Sequence, residues 1–408
     1  FSLLITVLLS VGWPAICQLA WGFDEHRRQL LLDAVFWSGP LILLTIPVSM
    51  LYSFAKARRA FSLRYRNDFI TSAVILACVM LYPEATGVLL WSFSLGTIIS
   101  FLIALAESRG NSKLWGNPFS TNVTQLLPLA PALLVFYAIE HAYSLTNHQF
   151  VSFLPQGAVS AIAYAWTLSK LPPSLMRIEG AFMTFYAEGT KTLGNRALIT
   201  NSLISSGIFV GAGLSLIMWE FSNPFITLVL EHGKFNRADT ELVAHCTGYF
   251  GLAMIPFLLM PALGQICQVE RQMKILMRRT LFGLLINIAG CSLSLFVLKW
   301  GAEGIALSSA ISQWGMLLAS MTLIRKVGVQ INYARHLFWL ATVASYALAA
   351  LYIVRASHVF FEGEPWLTIP ESIFLMALFV FPVLSGRGHE SQVARSLFLR
   401  SLAKLKGK

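Results

Sequence analysis

Apolar residues in this chain come in long runs that fill every side of a helix, not in the one-sided stripe of a soluble amphipathic helix. A run of about 20 such residues is what a helix needs to cross a bilayer. Twelve runs follow one another: Phe1–Phe23, Leu30–Ala55, Phe69–Tyr82, Gly87–Ala106, Gln125–Ser144, Ala158–Glu188, Ala197–Phe221, Cys246–Val269, Leu281–Leu298, Ile305–Ile324, Leu337–Val354 and Trp366–Leu384. The pattern predicts an all-α polytopic membrane protein with about twelve transmembrane helices. The first run opens on Phe1 without a basic leader, so it reads as an internal transmembrane helix of a chain whose start is missing, not as a signal peptide.

Composition sharpens this class. Hydrophobic residues make up 56% of the chain and charged residues 12%, with a mean hydropathy of +0.67. A soluble domain carries roughly 25% charged residues, so an aqueous fold is excluded. The net charge of +11 raises the question of a nucleic-acid partner. Placement of the charges answers it. Alternate loops carry 5, 2, 2, 4, 3 and 6 lysines and arginines, 22 of the 30 in the chain, against 6 in the opposite set. By the positive-inside rule the richer set is cytoplasmic, and both ends of the chain then lie in the cytoplasm. No nucleic acid is needed. The tail 385–408 mixes apolar and basic residues at helical spacing, which suits anionic lipid at the inner surface.

Catalytic chemistry finds little support. The five cysteines (Cys17, Cys78, Cys246, Cys267 and Cys291) fall in apolar runs without metal-ligand spacing and read as buried small hydrophobes. No phosphate-cradling glycine loop and no Ser/His/acid arrangement stands out. The expectation is a protein that is not an enzyme, with no cofactor and no metal.

Two cations break the pattern. Lys170 and Arg177 lie inside the run Ala158–Glu188, where a charge costs roughly 2.5–3.5 kcal/mol on insertion scales. Seven residues apart, they share one helix face with Thr167 and Ser174, while Glu179 points nearly the opposite way. Pro172-Pro173 lies between them and predicts a kink. A face carrying two unpaired cations is a candidate anion site; the competing reading is that both snorkel to the cytoplasmic surface. On the preceding span, Glu140 and His141 form a second polar point, with Tyr137, Ser144 and Asn147 in a stripe with Glu140. Glu140 reads as a proton- or ion-responsive group, as a counter-charge to Lys170 or Arg177, or as half of an interfacial pair near the outer surface. Asn287, Gln265 and Gln268 read as interhelical hydrogen-bond formers.

Three passages carry a resemblance. Leu230-Glu-His-Gly-Lys-Phe-Asn-Arg-Ala-Asp-Thr240 is similar to the ERGxF…xDT loop-to-helix passage of the MurJ/MviN lipid II flippase family. Leu154-Pro-Gln-Gly-Ala-Val-Ser-Ala-Ile-Ala-Tyr-Ala165 resembles that family's LPxGAVSALxYA entry to its central-cavity helix. Gly301-Ala-Glu-Gly-Ile-Ala-Leu-Ser-Ser-Ala-Ile-Ser312 resembles its GxxGIALATAIS helix start. The order and spacing agree from Phe1 to about Leu384. One departure stands inside the second passage: the family follows its Tyr-Ala with Asp-Arg, where this chain has Trp166-Thr167, and a cation comes a turn later as Lys170.

The resemblance implies a fourteen-helix, two-lobe fold of the multidrug/oligosaccharidyl-lipid/polysaccharide exporter superfamily, with this chain starting at the third helix. On that footing residues 1–144 belong to the N-terminal lobe, 145–324 form the C-terminal lobe, 325–384 supply two further helices and 385–408 are the basic tail. It also implies a bacterial inner-membrane flippase that moves a polyprenyl-diphosphate-linked glycan, foremost the peptidoglycan precursor lipid II, from inner to outer leaflet by alternating access. Lys170, Arg177, Thr167 and Ser174 are then the substrate-binding candidates. Glu140 and His141 are candidates for coupling to a monovalent cation or proton. An exporter of an exopolysaccharide or O-antigen lipid intermediate shares these features. A cation-coupled drug antiporter would rely on Glu140, and a membrane scaffold would not need Lys170.

Overall fold

A computed structural model describes residues 29, 41, 43–44, 47–52, 62–82, 87–109, 130–155, 157–176, 186, 193–233, 235–270, 272–358, 371–375 and 377–379. The predicted spans Phe1–Phe23 and most of Leu30–Ala55, the tail and Arg177 lie outside them. Contact clustering divides the chain into two compact units, Phe1–Leu126 and Leu127–Lys408.

The described part of the first unit is a helical hairpin of α1 (Ser62–Leu81) and α2 (Val88–Arg109). Gly96 lets the two backbones close: a Cβ there would stand 2.8 Å from Thr71 Cγ2. Polar side chains bind the seam, with Asn67 donating to the Ser100 carbonyl at 3.0 Å and Thr71 meeting Ser100 Oγ at 2.8 Å. Arg66 and Glu107 close the end as an ion pair, so Arg64 and Arg66 belong to a helix, not to the expected loop Lys56–Arg66.

The second unit holds α3 (Ala130–Val151), α4 (Ala158–Met176), α5 (Leu193–Glu220), α6 (Ser222–Leu230), α7 (Arg237–Gly251), α8 (Met254–Val269), α9 (Met273–Ser292), α10 (Gly301–Ile324) and α11 (Tyr333–His358). A π-helical turn, Leu293–Val297, extends α9. The predicted lobe boundary at 144/145 falls inside α3, which packs along α9. A polar knot at that seam explains why α3 belongs with the second unit. Asn287 donates to Asn147 Oδ1 at 2.7 Å, Ser309 bridges both asparagines at 3.1 and 3.2 Å, and Gln313 donates to the Tyr143 hydroxyl at 3.2 Å. In hydrocarbon these groups have no water to turn to, so the bonds tie α3, α9 and α10 into one body. Asn287 thus does what its sequence position predicts; Gln265 and Gln268 form no side-chain hydrogen bond among the described residues.

Two expectations about helix continuity change. The span Cys246–Val269 is not one helix: α7 and α8 meet at a 52° bend across Leu252-Ala253. Pro256, four residues on, has no N–H to give the Leu252 carbonyl. Trp314 Nε1 of α10 donates to that oxygen instead, at 2.8 Å. By contrast α4 runs unbroken through Pro172 and Pro173 to Met176.

The residues of the three family-like passages act as helix starts. Asn236 and Asp239 form a reciprocal capping box at 3.1 Å each, and Thr240 donates to Glu231 at 2.9 Å. Gly157 and Gly301 take φ of +96° and +68° just before α4 and at the head of α10, conformations open to glycine. Cys78, Cys246, Cys267 and Cys291 are buried free thiols, as expected, and Cys17 lies outside the described residues. Among the described residues four helices are long and apolar enough to cross a membrane, or five when the bent α7–α8 pair is taken as one span. Leu375 and Phe379, from the last predicted span, pack into the core, with the Phe379 ring 5.4 Å from Tyr346.

Candidate functional site

The site is built on α4. Apolar small residues Ala158, Ala161, Ile162 and Ala165 bury one side of this helix against the second unit's core, leaving Thr167, Lys170 and Ser174 on an exposed side. Lys170 Nζ lies 4.0 Å from the centroid of the Trp166 ring and 5.8 Å from that of Phe257. Trp166 is itself fixed edge-on to Phe250 and Phe257, at 5.1 and 5.4 Å. An ammonium over an indole face is attracted by the ring quadrupole without losing its charge. The ion pairs among the described residues are Arg66–Glu107, Arg196–Glu270, Arg237–Glu241 and His245–Glu303, and none engages Lys170.

Thr167 and Ser174 are spaced as predicted, one turn on either side of Lys170. Each hydroxyl hydrogen is turned back on its own helix, Thr167 to the Ala163 carbonyl and Ser174 to the Leu171 carbonyl, both at 2.8 Å. Their oxygens stay available as acceptors only.

Glu140 sits in the middle of α3, roughly 15 Å from either end at 1.5 Å per residue. The helix thus runs on past Ser144, where the predicted span ends, to Val151. Glu140 and His141 are both exposed. The expected stripe splits: Tyr137, Glu140 and Ser144 are exposed, whereas Asn147 turns into the knot with α9 and α10.

Between α3 and α4 lies a hollow of about 220 Å³, lined by Ser144, Asn147, His148, Ile162, Ala163, Trp166, Thr167 and Phe250. Sequence reasoning missed it because its walls come from three helices. Trp166 entered only as a departure from a motif, yet it lines the hollow and carries the ammonium on its ring. Arg279 was also missed, having been counted with the cytoplasmic loop. It lies inside α9 at 7% exposure, donating to the Met260 carbonyl at 3.3 Å and Ser320 Oγ at 3.4 Å. Apolar residues on both sides of it, Ile275-Leu276-Met277 and Leu281-Phe282, were the available signal. No group of three or more potential metal ligands occurs among the described residues.

Comparison with known proteins gives a consistent result. A family profile described as Lipid II flippase MurJ matches residues 1–374. A probable lipid II flippase MurJ of Buchnera aphidicola subsp. Acyrthosiphon pisum is 26% identical over 356 residues, covering 83% of this chain and 69% of that protein. One of Rhizobium meliloti is 24% identical over 393 residues, covering 91% and 71%. A solved structure of a lipid II flippase MurJ in an inward closed conformation superposes with a TM-score of 0.75 at 16% identity, covering 93% of this chain and 81% of that one. The likeness in structure speaks for the fold, an all-α polytopic membrane protein.

Proposed function

Because this chain belongs to the Lipid II flippase MurJ family, it flips lipid II by alternating access, and we propose that Lys170 is the cation that receives the cargo's diphosphate. The observation that carries this reading is an exposed ammonium on α4, seated on the Trp166 face and without an ion-pair partner among the described residues. Holding such a charge in place costs several kcal/mol unless an anion or water offsets it. A diphosphate supplies that anion, and low polarity around Trp166 and Phe257 strengthens the attraction. The aromatic faces leave one side of the ammonium for a phosphate oxygen. Arg177, a turn or two further on, is the second candidate cation and lies outside the described residues.

Glu140, with His141 beside it, is the candidate coupling group. With no cargo its carboxylate balances Lys170 across the helix pair; once the diphosphate arrives, a proton or monovalent cation can neutralise Glu140. The direction is inner to outer leaflet of the bacterial inner membrane, with both ends of this chain cytoplasmic and the basic tail on anionic lipid. These assignments rest on the loop charges and the tail sequence.

The test is genetic complementation in cells whose own lipid II flippase is depleted. Full-length protein with Lys170→Arg should sustain growth, and Lys170→Ala or Lys170→Glu at equal membrane abundance should not. Growth with Ala and Glu alike would remove Lys170 from the mechanism.

A further inference from the structure

The hollow between α3 and α4 is unassigned by anything above. We propose that it seats the first sugar ring on the diphosphate, an inference that rests on Lys170 holding that diphosphate. Size is the first argument. About 220 Å³ falls below the roughly 300–1,000 Å³ of a pocket for a drug-sized molecule, so it suits one ring and not an entire glycan headgroup.

The chemistry of the walls is the second. Trp166, Phe250, Ile162 and Ala163 make an apolar side on which the C–H face of a pyranose, or the methyl of an acetamido group, can pack. Ser144, His148 and Thr167 lie on the polar side. Among the described residues the Ser144 hydroxyl and the His148 ring have no side-chain hydrogen-bond partner. Asn147 adds a donor: its Oδ1 is taken by Asn287 and Ser309, while none of the described acceptors takes its Nδ2. The lining holds no carboxylate, lysine or arginine, which suits a neutral hydroxyl-bearing ring better than a second phosphate.

Position is the third argument. Trp166 lines the hollow and carries the Lys170 ammonium on its ring, so hollow and cation share one indole. A ring joined directly to a diphosphate needs that adjacency. The hollow also lies on the loop 152–157 side of Lys170, the outer side by loop charge, so the glycan leads and the prenyl chain trails.

The experiment measures binding of two probes to full-length protein in detergent micelles by native mass spectrometry. One is farnesyl diphosphate; the other is the same molecule bearing one N-acetylated hexosamine. Ala163→Leu fills the hollow from an exposed helix position, and Ser144→Leu does so from the opposite wall. Each should weaken the sugar-bearing probe by about tenfold or more, a loss of one favourable contact set, while binding of farnesyl diphosphate stays within about twofold and reports an intact fold. Lys170→Gln should weaken both probes. If Lys170→Gln weakens both and the hollow-filling variants weaken neither, or both equally, the sugar seat is overturned and the diphosphate reading survives. If Lys170→Gln weakens neither, the diphosphate reading itself falls.

Discussion

A guanidinium enclosed by apolar helices, as Arg279 is, keeps its charge only through the acceptors it reaches. Met260 O and Ser320 Oγ serve α9 in this way from α8 and α10, while Arg279 Nε has no partner. Cutting the side chain back leaves a void among α8, α9 and α10, so Arg279→Ala should destabilise the fold by about 2–5 kcal/mol. Arg279→Met fills the space without the charge and should recover most of that loss; thermal unfolding in one detergent compares the two. Equal losses would show that the charge, not the volume, holds the three helices. Asn287→Ala belongs to the same scale: removing the donor to Asn147 should cost about 1–2 kcal/mol in the same assay. Residues such as Lys170, Thr167 and Ser174 were legible in the sequence because one helix period aligns them. His148 and Phe250 were not, since they reach the hollow from helices whose packing no local pattern encodes.

Elements were legible to the extent that their own residues decide them. The apolar runs marked α5, α9, α10 and α11 as membrane-crossing, whereas α7 starts at the Asn236–Asp239 capping box, ahead of the predicted run Cys246–Val269. Asn236→Ala should cost about 0.5–2 kcal/mol, the usual worth of a capping side chain, and a melting temperature unchanged from the parent would argue against the box. The break between α7 and α8 was harder to see. Pro256 hinted at it, but Pro172 and Pro173 gave the same hint in α4 and left that helix unbroken. What differs is a donor from elsewhere, the Trp314 indole on Leu252. Trp314→Phe should therefore raise the hydrogen-exchange rate of amides around Leu252, as the freed carbonyl lets the bend loosen; unchanged protection would assign the bend to packing alone.

At the scale of the whole molecule, the apolar runs carry the class, an all-α polytopic membrane protein, and they did so before any coordinates. The division into compact units was less accessible, because α3 looks in sequence like any other apolar run and its polar knot with α9 and α10 ties it to the second unit. We propose that a fixed positive charge at Lys170 receives the diphosphate of a lipid-borne glycan. The most direct test is the rate of lipid II transbilayer movement in proteoliposomes of the full-length protein carrying Lys, Arg, Gln or Glu at position 170. The account predicts parent-like rates for Lys and Arg, about a tenfold or greater fall for Gln, and none above the protein-free background for Glu. A Gln variant that moves lipid II as fast as the parent would contradict it.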